Sequence, residues 1–190
     1  YVPLKLQSDV NNQLQAQIEI NQSLEAQLEE ANQNMQFYKT AYAKQQAVQK
    51  EVQCLAQNIY FEAGQESLEG QKAVAFVTIN RVQTGNYADN ICDVVYQKKG
   101  STCQFSWYCE KKFTDRRLTI KGTQLYNEIR ELATHIVVNH DKLKDVTDGA
   151  TYYHADYVNP RWKLEKVDQI GRHIFYKRKG DEIDRNREFF

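Results

Sequence analysis

The strongest constraint on this fold lies in the first 53 residues, which contain no glycine, no tryptophan and one proline, at position 3. Nothing in such a run, rich in Gln, Asn, Glu and Ala, interrupts a helix once it has begun. Two sets of residues seven apart follow each other at the 3-4 spacing of a coiled-coil seam: Leu14, Asn21, Leu28, Met35 and Tyr42, and Leu24, Ala31, Tyr38, Gln45 and Val52. An uninterrupted helix of about 45 residues would be roughly 65–70 Å long.

A lone helix of this polarity buries little, so we expect residues 1–53 to form a coiled-coil stalk that self-associates or binds a partner protein. Asn21 at a seam position would fix register at some cost in stability. A partly disordered polar spacer is the alternative. The chain has no apolar run long enough to span a membrane. Its 25 basic and 25 acidic residues argue against nucleic acid as a partner.

Residues 54–190 have the pattern of one compact α+β domain, with helices first and strands last. The clearest helix is expected at 123–140, where apolar residues form a stripe and Thr123 is a suitable N-cap. The tail from Arg178 onward is charged and expected to be exposed. The other expected elements are helices at 54–63 and 68–82 and strands at 151–154 and 173–177.

Four cysteines are present: Cys54, Cys92, Cys103 and Cys109. A zinc site is disfavoured because no C-x-x-C spacing occurs and no histidine is near them in sequence. Disulfides formed in an oxidising compartment are the better interpretation, and buried free thiols are the alternative. The chain is therefore expected to act outside the cytoplasm.

Glu62 ends an apolar helical stretch beside two aromatic residues and just before Gly64. A carboxyl group in such a place can be partly desolvated, which raises its pKa toward that of a general acid at neutral pH. Glu66 follows four residues later and would share a helix face with it. Glutamates at this spacing are common, so spacing alone favours two acids that solvate a helix end.

A wider pattern covers residues 55–177 and resembles the SleB-like cell-wall hydrolase family, the spore cortex-lytic type. Five blocks occur in that family's order: Glu62-Ala63-Gly64-Gln65-Glu66 with Glu69-Gly70-Gln71 and Asn80-Arg81-Val82, Ile91-Cys92-Asp93-Val94-Val95-Tyr96-Gln97, Cys103-Gln104-Phe105-Ser106-Trp107, Gly149-Ala150-Thr151-Tyr152-Tyr153-His154-Ala155 with Trp162, and Ile170-Gly171-Arg172-His173-Ile174-Phe175-Tyr176. The sequence departs from the family at Gly64-Gln65, where Arg-Gly is usual. The stalk lies outside the resemblance.

The resemblance implies a lysozyme- or transglycosylase-like helical lobe with a small antiparallel sheet. It also implies that Glu62 is the catalytic acid and base of lytic transglycosylation at the β-1,4 bond between N-acetylmuramic acid and N-acetylglucosamine. This reaction needs one carboxyl group, whereas lysozyme-like hydrolysis, the alternative, needs a partner such as Glu66. No cofactor and no metal are implied.

The remaining candidates follow from the same blocks. Substrate-binding roles are expected for residues that could stack on sugars or bond to their hydroxyl or N-acetyl groups: Glu66, Gln104, Ser106, Trp107, Tyr153 and His154. Trp107 and His154 could equally be structural, and His173 is more typical of a core residue. Because two family-like blocks flank a short loop, we expect a Cys92–Cys103 disulfide, with Cys54–Cys109 as the second pair.

Two other classes of protein compete with the enzyme. One is a catalytically silent relative that holds glycan in its cleft while the stalk assembles a structure. The other is a mainly structural protein, and a phage virion or lysis enzyme would combine a structural stalk with a cutting domain.

Overall fold

The computed structural model describes residues 4–110 and 120–189. Its contacts divide the chain into two compact units, Tyr1–Gln45 and Gln46–Phe190. Helix α1 spans Leu4–Ala63, so one continuous helix passes through the position where the sequence suggested a boundary, between residues 53 and 54. Val52, expected at a coiled-coil seam, is buried in the core of the second unit.

In the part of α1 that belongs to the first unit, the described side chains are all exposed. Leu14, Leu24, Leu28 and Met35 each keep more than half of their surface accessible, and so do several aromatic residues. The predicted helix is therefore confirmed, whereas its self-association stays a prediction. In the described part of the chain no helix combines the length and the apolar character that crossing a bilayer would require.

The second unit is the expected α+β domain, with a two-stranded sheet and a three-stranded antiparallel sheet of order β3-β5-β4. After α1, the described elements are α2 (Leu68–Thr84), α3 (Ile91–Val95), β1 (Lys98–Lys99), β2 (Thr102–Cys103), α4 (Ser106–Cys109), α5 (Gln124–Asn139), β3 (Tyr152–Ala155), β4 (Glu165–Ile170) and β5 (His173–Lys177).

Two helices of this unit begin at side-chain caps. The Ser67 hydroxyl accepts from the backbone N–H of Gly70 at 3.3 Å and starts α2, which ends at Gly85 in the left-handed conformation (φ 66°). Thr123 caps α5 as predicted, because its hydroxyl accepts from the N–H of Tyr126 at 3.3 Å. These caps fix where α2 and α5 begin and therefore which side chains they bury.

The main core forms where the last turns of α1 pack against α2, α3, α4 and α5. Leu55 and Ile59 of α1 are fully buried there, and Trp107 of α4 is the largest buried side chain. The Trp107 indole N–H donates to the side-chain oxygen of buried Asn58 at 3.0 Å. This packing holds the end of α1 in place, which matters because Glu62 is its penultimate residue.

A buried polar network holds the segment that leads into β3. The Asn80 amide of α2 donates to an Asp145 carboxylate oxygen (2.9 Å) and to the carbonyl of Ala150 (3.0 Å). Asp145 also accepts from the N–H groups of Thr147 and Gly149 at 2.8 and 2.7 Å. Buried polar groups are stable only when paired in this way. The network therefore fixes the start of β3 relative to α2.

The disulfides are Cys54–Cys92 and Cys103–Cys109, so both expected pairings are wrong. Helix α3 turns the side chain of Cys92 inward, against α1, while Cys103 lies on the β1–β2 hairpin and pairs with the end of α4. The loops closed are 38 and 6 residues. From the loop-closure entropy, the two disulfides stabilise the folded state by about 4 and about 2 kcal/mol. No group of side chains suited to holding a metal ion occurs among the described residues.

Two further differences concern the C-terminal part. Strand β4 was not predicted, because only Val167 and Ile170 of it are even partly buried and a bulge interrupts its register. The tail is not simply exposed: Phe189 is buried beside the His140 ring. The Asp184 N–H also donates to the Gln83 carbonyl at 3.2 Å.

The position of the boundary between the units can be tested by truncation. A chain of residues 46–190 should fold and stay monomeric, whereas 54–190 should be less stable because it loses buried Val52 and Glu51, whose carboxylate accepts from the Cys92 N–H at 2.9 Å. Losing one such buried apolar side chain typically costs about 2–5 kcal/mol. Thermal unfolding compares the stability of the two truncated chains.

The full chain should sediment as an oligomer. Equal stability of the truncated chains, or a monomeric full chain at high concentration, would contradict this account.

Candidate active site

An open cleft of about 400 Å³ lies where the end of α1 meets α2, α4 and the three-stranded sheet. It is lined by Phe61, Glu62, Arg81, Gln104, Phe105, Ser106, Trp107, Glu110, Tyr153, His154, Ala155, Tyr157 and His173. Four of the five family-like blocks contribute to it. The fold therefore brings together segments that are more than a hundred residues apart in the sequence.

Glu62 reaches this cleft from the last turn of α1, and its carboxylate accepts from the Tyr153 hydroxyl at 2.9 Å. Burial of the carboxyl group raises the pKa of Glu62 above its ordinary value. The hydrogen bond from Tyr153 and then the charge of Arg81 act in the opposite direction. Burial is the largest of these effects, so Glu62 holds its proton to a higher pH than an exposed glutamate does.

Arg81 is a buried cation on α2 beside this carboxyl group. Its Nε donates to the Thr151 carbonyl at 2.8 Å, and its guanidinium lies 5.0 Å from the Phe105 ring centre and 5.5 Å from that of Tyr87. Burial lowers its pKa, but an arginine keeps its charge in proteins. Arg81 thus supplies a fixed positive charge at the base of the cleft.

Tyr153 and His173 stand side by side on paired strands, with ring centres 5.1 Å apart. Burial and the nearby Glu62 carboxylate raise the pKa of Tyr153 well above its usual value, so its hydroxyl stays a donor. Burial likewise lowers the pKa of His173, which favours the neutral imidazole near pH 7. The part of the cleft wall that Tyr153 and His173 form is therefore uncharged.

Three predicted site residues come from the segment after β2. Gln104 lies under the cleft, and in the amide orientation that satisfies both groups its oxygen accepts from the two terminal nitrogens of Arg81 at 3.1 and 3.2 Å. Ser106 is exposed at the cleft. Trp107 is only 1% exposed and stacks on Phe61 at 4.7 Å, which favours its structural alternative, because a sugar cannot reach its face.

His154 and Glu66 make contacts that organise the sheet. His154 stacks on Tyr176 and has its Nδ1 2.8 Å from the Ala155 carbonyl and its Nε2 3.0 Å from the Tyr176 hydroxyl. These partners assign the proton to Nδ1. Glu66 accepts from the Arg172 N–H at 3.2 Å at the β4–β5 turn and is not among the residues lining the cleft. Its contact ties the α1–α2 turn to the hairpin.

Sequence reasoning missed two residues of this site. Glu110 lines the cleft with Glu62, and its charge raises the pKa of Glu62 further. It lies 48 positions further along the chain, and no local pattern links the two acids. Arg81 did give a signal, because it is a charged residue set between Ile79 and Val82 on an apolar helix. A charge at such a position is rare unless it is paired inside the fold.

The domain combines a helical lobe with a small antiparallel sheet. A carboxyl group of raised pKa, that of Glu62, lies in the cleft where the two meet. The Hydrolase_2 family, described as Cell Wall Hydrolase, matches residues 65–176. The chain belongs to this family. The matched range begins three residues after Glu62.

Among characterised proteins the chain is similar to spore cortex-lytic enzymes. It is 29% identical to that of Halalkalibacterium halodurans over 132 residues, which cover 66% of this chain and 34% of the relative. It is 27% identical to that of Oceanobacillus iheyensis, over 68% of this chain and 42% of the relative. The chain thus spans less than half the length of these relatives.

The fold is also similar to a solved structure, the catalytic domain of the Bacillus cereus SleB protein. The TM-score is 0.50 at 23% identity, and the alignment covers 68% of this chain and 91% of that domain. At this identity the likeness supports the fold. It agrees with the helical lobe and small antiparallel sheet described above.

The raised pKa of Glu62 makes a prediction about stability. The folded state binds this proton more tightly than the unfolded chain does, so stability falls as pH rises from the ordinary value of 4.5 through the raised value. Glu62→Gln keeps the acceptor for Tyr153 but removes the ionisation. Its Tm should exceed that of the wild type at pH 8, and the difference should shrink below about pH 4.5.

Glu131→Gln, on the exposed face of α5, is the matched control and should show little such pH-dependent gain. Thermal unfolding across this pH range measures both variants. A Glu62→Gln variant that is no more stable than the wild type at pH 8 would mean that the carboxyl group is solvated.

Proposed function

We propose that this chain cleaves the glycan strands of peptidoglycan outside the cytoplasm. The bond cut is the β-1,4 bond between N-acetylmuramic acid and N-acetylglucosamine, and the reaction is lytic transglycosylation with Glu62 as its single acid and base. Membership of the Cell Wall Hydrolase family supports the substrate class. The two disulfides support an oxidising, extracytoplasmic location.

The observation that carries the proposed mechanism is the environment of Glu62. Its carboxyl group has a raised pKa, is held by the Tyr153 hydroxyl at 2.9 Å and opens on a cleft. A general acid works best when its pKa is near the working pH, and an exposed glutamate is too acidic for that. A protein that only binds glycan gains nothing from a partly desolvated carboxyl group, because its burial costs stability.

The proposed reaction moves one proton through Glu62. The protonated carboxyl group donates to the glycosidic oxygen as the bond from that oxygen to the muramoyl anomeric carbon breaks. The resulting carboxylate takes the proton of the muramoyl 6-hydroxyl, whose oxygen then bonds to the anomeric carbon. The products are a 1,6-anhydro sugar and a free 4-hydroxyl group. No water is consumed, and Glu62 ends protonated, ready for the next cycle.

The neighbouring residues have supporting roles in this proposal. Tyr153 and Arg81 are positioning residues, since the hydrogen bond and the fixed charge stabilise the carboxylate after proton donation. Ser106 is exposed, and in this proposal its hydroxyl bonds to sugar hydroxyls. Gln104 reaches substrate only if it releases part of its contact with Arg81. The exposed apolar residues of α1 before Gln46 are the proposed surface for self-association or a partner protein.

Lysozyme-like hydrolysis is the second candidate, and the presence of Glu110 in the same cleft favours it. A second carboxylate can activate water or stabilise the cationic transition state. Glu66, the partner suggested by the sequence, is bonded to the β4–β5 turn instead. The proposal that the chain serves as a phage virion or lysis enzyme stays a prediction.

Two matched variants separate the mechanisms. Glu62→Gln should lower the rate of peptidoglycan cleavage about 10²- to 10⁴-fold, because it removes the general acid and base. Glu110→Gln should leave most of the activity if the reaction is transglycosylation. Mass spectrometry of the released fragments should show anhydro ends, lighter than hydrolysed ends by one water. Full activity of Glu62→Gln would refute the mechanism, and products with reducing ends together with an inactive Glu110→Gln would establish hydrolysis.

Tyr153→Phe tests the role of the hydroxyl in setting the pKa of Glu62. The change removes a hydrogen bond that stabilises the carboxylate, so the pKa of Glu62 should rise and the alkaline limb of the kcat/KM profile should move to higher pH. Tyr157→Phe makes the same chemical change elsewhere in the cleft and should leave the limb in place. Identical profiles for both variants would show that Tyr153 does not act on Glu62.

A further inference from the structure

We propose that a second pocket beside the cleft binds carboxylates attached to the muramoyl sugar, and that it thereby recognises the stem peptide of the glycan strand. This inference rests on the proposed function. The pocket is about 710 Å³ and lies between the β1–β2 hairpin, the loop after α2 and β3. Its lining consists of Asn86, Tyr87, Gln97, Lys98, Lys99, Thr102, Cys103, Gln104 and Tyr152.

The pocket adjoins the cleft that holds Glu62. Gln104 lines both, and Tyr152 of the pocket is the neighbour in β3 of Tyr153 of the cleft. The Arg81 guanidinium lies between them, in contact with Gln104 and with the Tyr87 ring. A glycan strand cut at Glu62 must extend beyond the cleft, so a sugar bound there can carry its substituent into the pocket.

Positive charge is the property that defines this pocket. Lys98 and Lys99 line it, and no acidic residue is among its described lining residues. Neither lysine forms a salt bridge with any residue in the described ranges, although the Lys98 ammonium lies 4.5 Å from the centre of the Tyr108 ring. The buried charge of Arg81, which contacts the ring of the lining residue Tyr87, adds to the positive potential of the pocket. Such an arrangement attracts an anion, with which the two ammonium groups can pair.

The hairpin that carries the lysines is fixed in place. Strands β1 and β2 pair Lys98 with Cys103 and Lys99 with Thr102, and Cys103 is bonded to Cys109 at the end of α4. The backbone N–H of Gln104 also donates to the Gln97 carbonyl at 2.9 Å. The two ammonium groups are therefore carried by a cross-linked element rather than by a free loop, which reduces the entropy lost on binding.

Two sources of carboxylate are present on peptidoglycan near the bond that is cut. One is the stem peptide, an acidic peptide attached through the lactyl group of muramic acid. The other is the lactyl carboxylate itself, which is free where the peptide has been removed. Plain N-acetylglucosamine polymers carry neither group. The chemistry common to both sources is a carboxylate that hangs from the muramoyl ring, and the size of the pocket favours the peptide.

The test is a binding measurement with three soluble ligands: peptide-bearing glycan strands, strands stripped by an amidase so that only lactyl carboxylates remain, and chitin oligosaccharides. The chain is the full-length Glu62→Gln variant, with and without Lys98→Ala/Lys99→Ala. The double change should weaken binding of peptide-bearing strands about three- to tenfold at low salt and less at high salt. Binding of chitin oligosaccharides should not change.

Two further variants serve as controls. Lys98→Arg/Lys99→Arg keeps the charges and should bind peptide-bearing strands normally. Lys142→Ala/Lys144→Ala removes two exposed lysines after α5 and should have no effect. If Lys98→Ala/Lys99→Ala weakens binding of peptide-bearing strands alone, the proposal is supported and the bound group is the stem peptide. If it weakens binding of stripped strands equally, the proposal is supported and the bound group is the lactyl carboxylate.

No loss with either strand, or the same loss with chitin oligosaccharides, would overturn the proposal. The activity of the chain shows whether the pocket alone or the proposed function itself is wrong. If Lys98→Ala/Lys99→Ala in the chain with Glu62 intact still releases muropeptides with unchanged KM, only the pocket is wrongly assigned. If the chain with Glu62 intact releases none, the proposed function itself is wrong and the inference falls with it.

Discussion

The burial of the Arg81 guanidinium is the interaction on which the arrangement of the cleft depends. A buried cation is stable only where acceptors and aromatic faces surround it, so three separate segments must meet around it. The Thr151 carbonyl, the Gln104 amide and the rings of Phe105 and Tyr87 supply that environment. Removing a hydrogen-bond partner so that a buried polar group is left unsatisfied typically costs about 1–3 kcal/mol, and more when the group is charged. The geometry of the cleft therefore depends on the contacts that stabilise this one buried charge.

The charge of Arg81 limits how far burial can raise the pKa of Glu62. Desolvation alone would favour a permanently neutral acid, which could donate a proton but not take one back. Arg81 and the Tyr153 hydroxyl restore part of the stability of the carboxylate. The proposed role of Glu62, first as acid and then as base, needs such a balance, and three different segments of the fold provide its parts.

Local patterns predicted the long helices and strands β3 and β5, but not the contacts between them. The uninterrupted N-terminal run predicted the long helix, and Thr123 with the apolar stripe after it predicted α5. The cysteine pairing failed, because the direction in which Cys92 points depends on how α3 packs on α1. Glu110 was missed for the same reason, since only the folded chain brings it to the cleft of Glu62. Resemblance to a family singled out Glu62 as the candidate acid, and only the packing of the fold shows which residues surround it.

The two disulfides make the folded state depend on the redox state of its surroundings. Cys54–Cys92 joins α1 to α3 near the segment that ends in Glu62, and Cys103–Cys109 closes the turn below the paired lysines. Their loop-closure terms add up to roughly 6 kcal/mol, within a total stability that is usually about 5–15 kcal/mol. A newly made chain with reduced thiols lacks that whole contribution. Oxidation of these thiols thus supplies a large share of the stability of the mature domain, and a reducing environment withholds that share until the thiols have been joined.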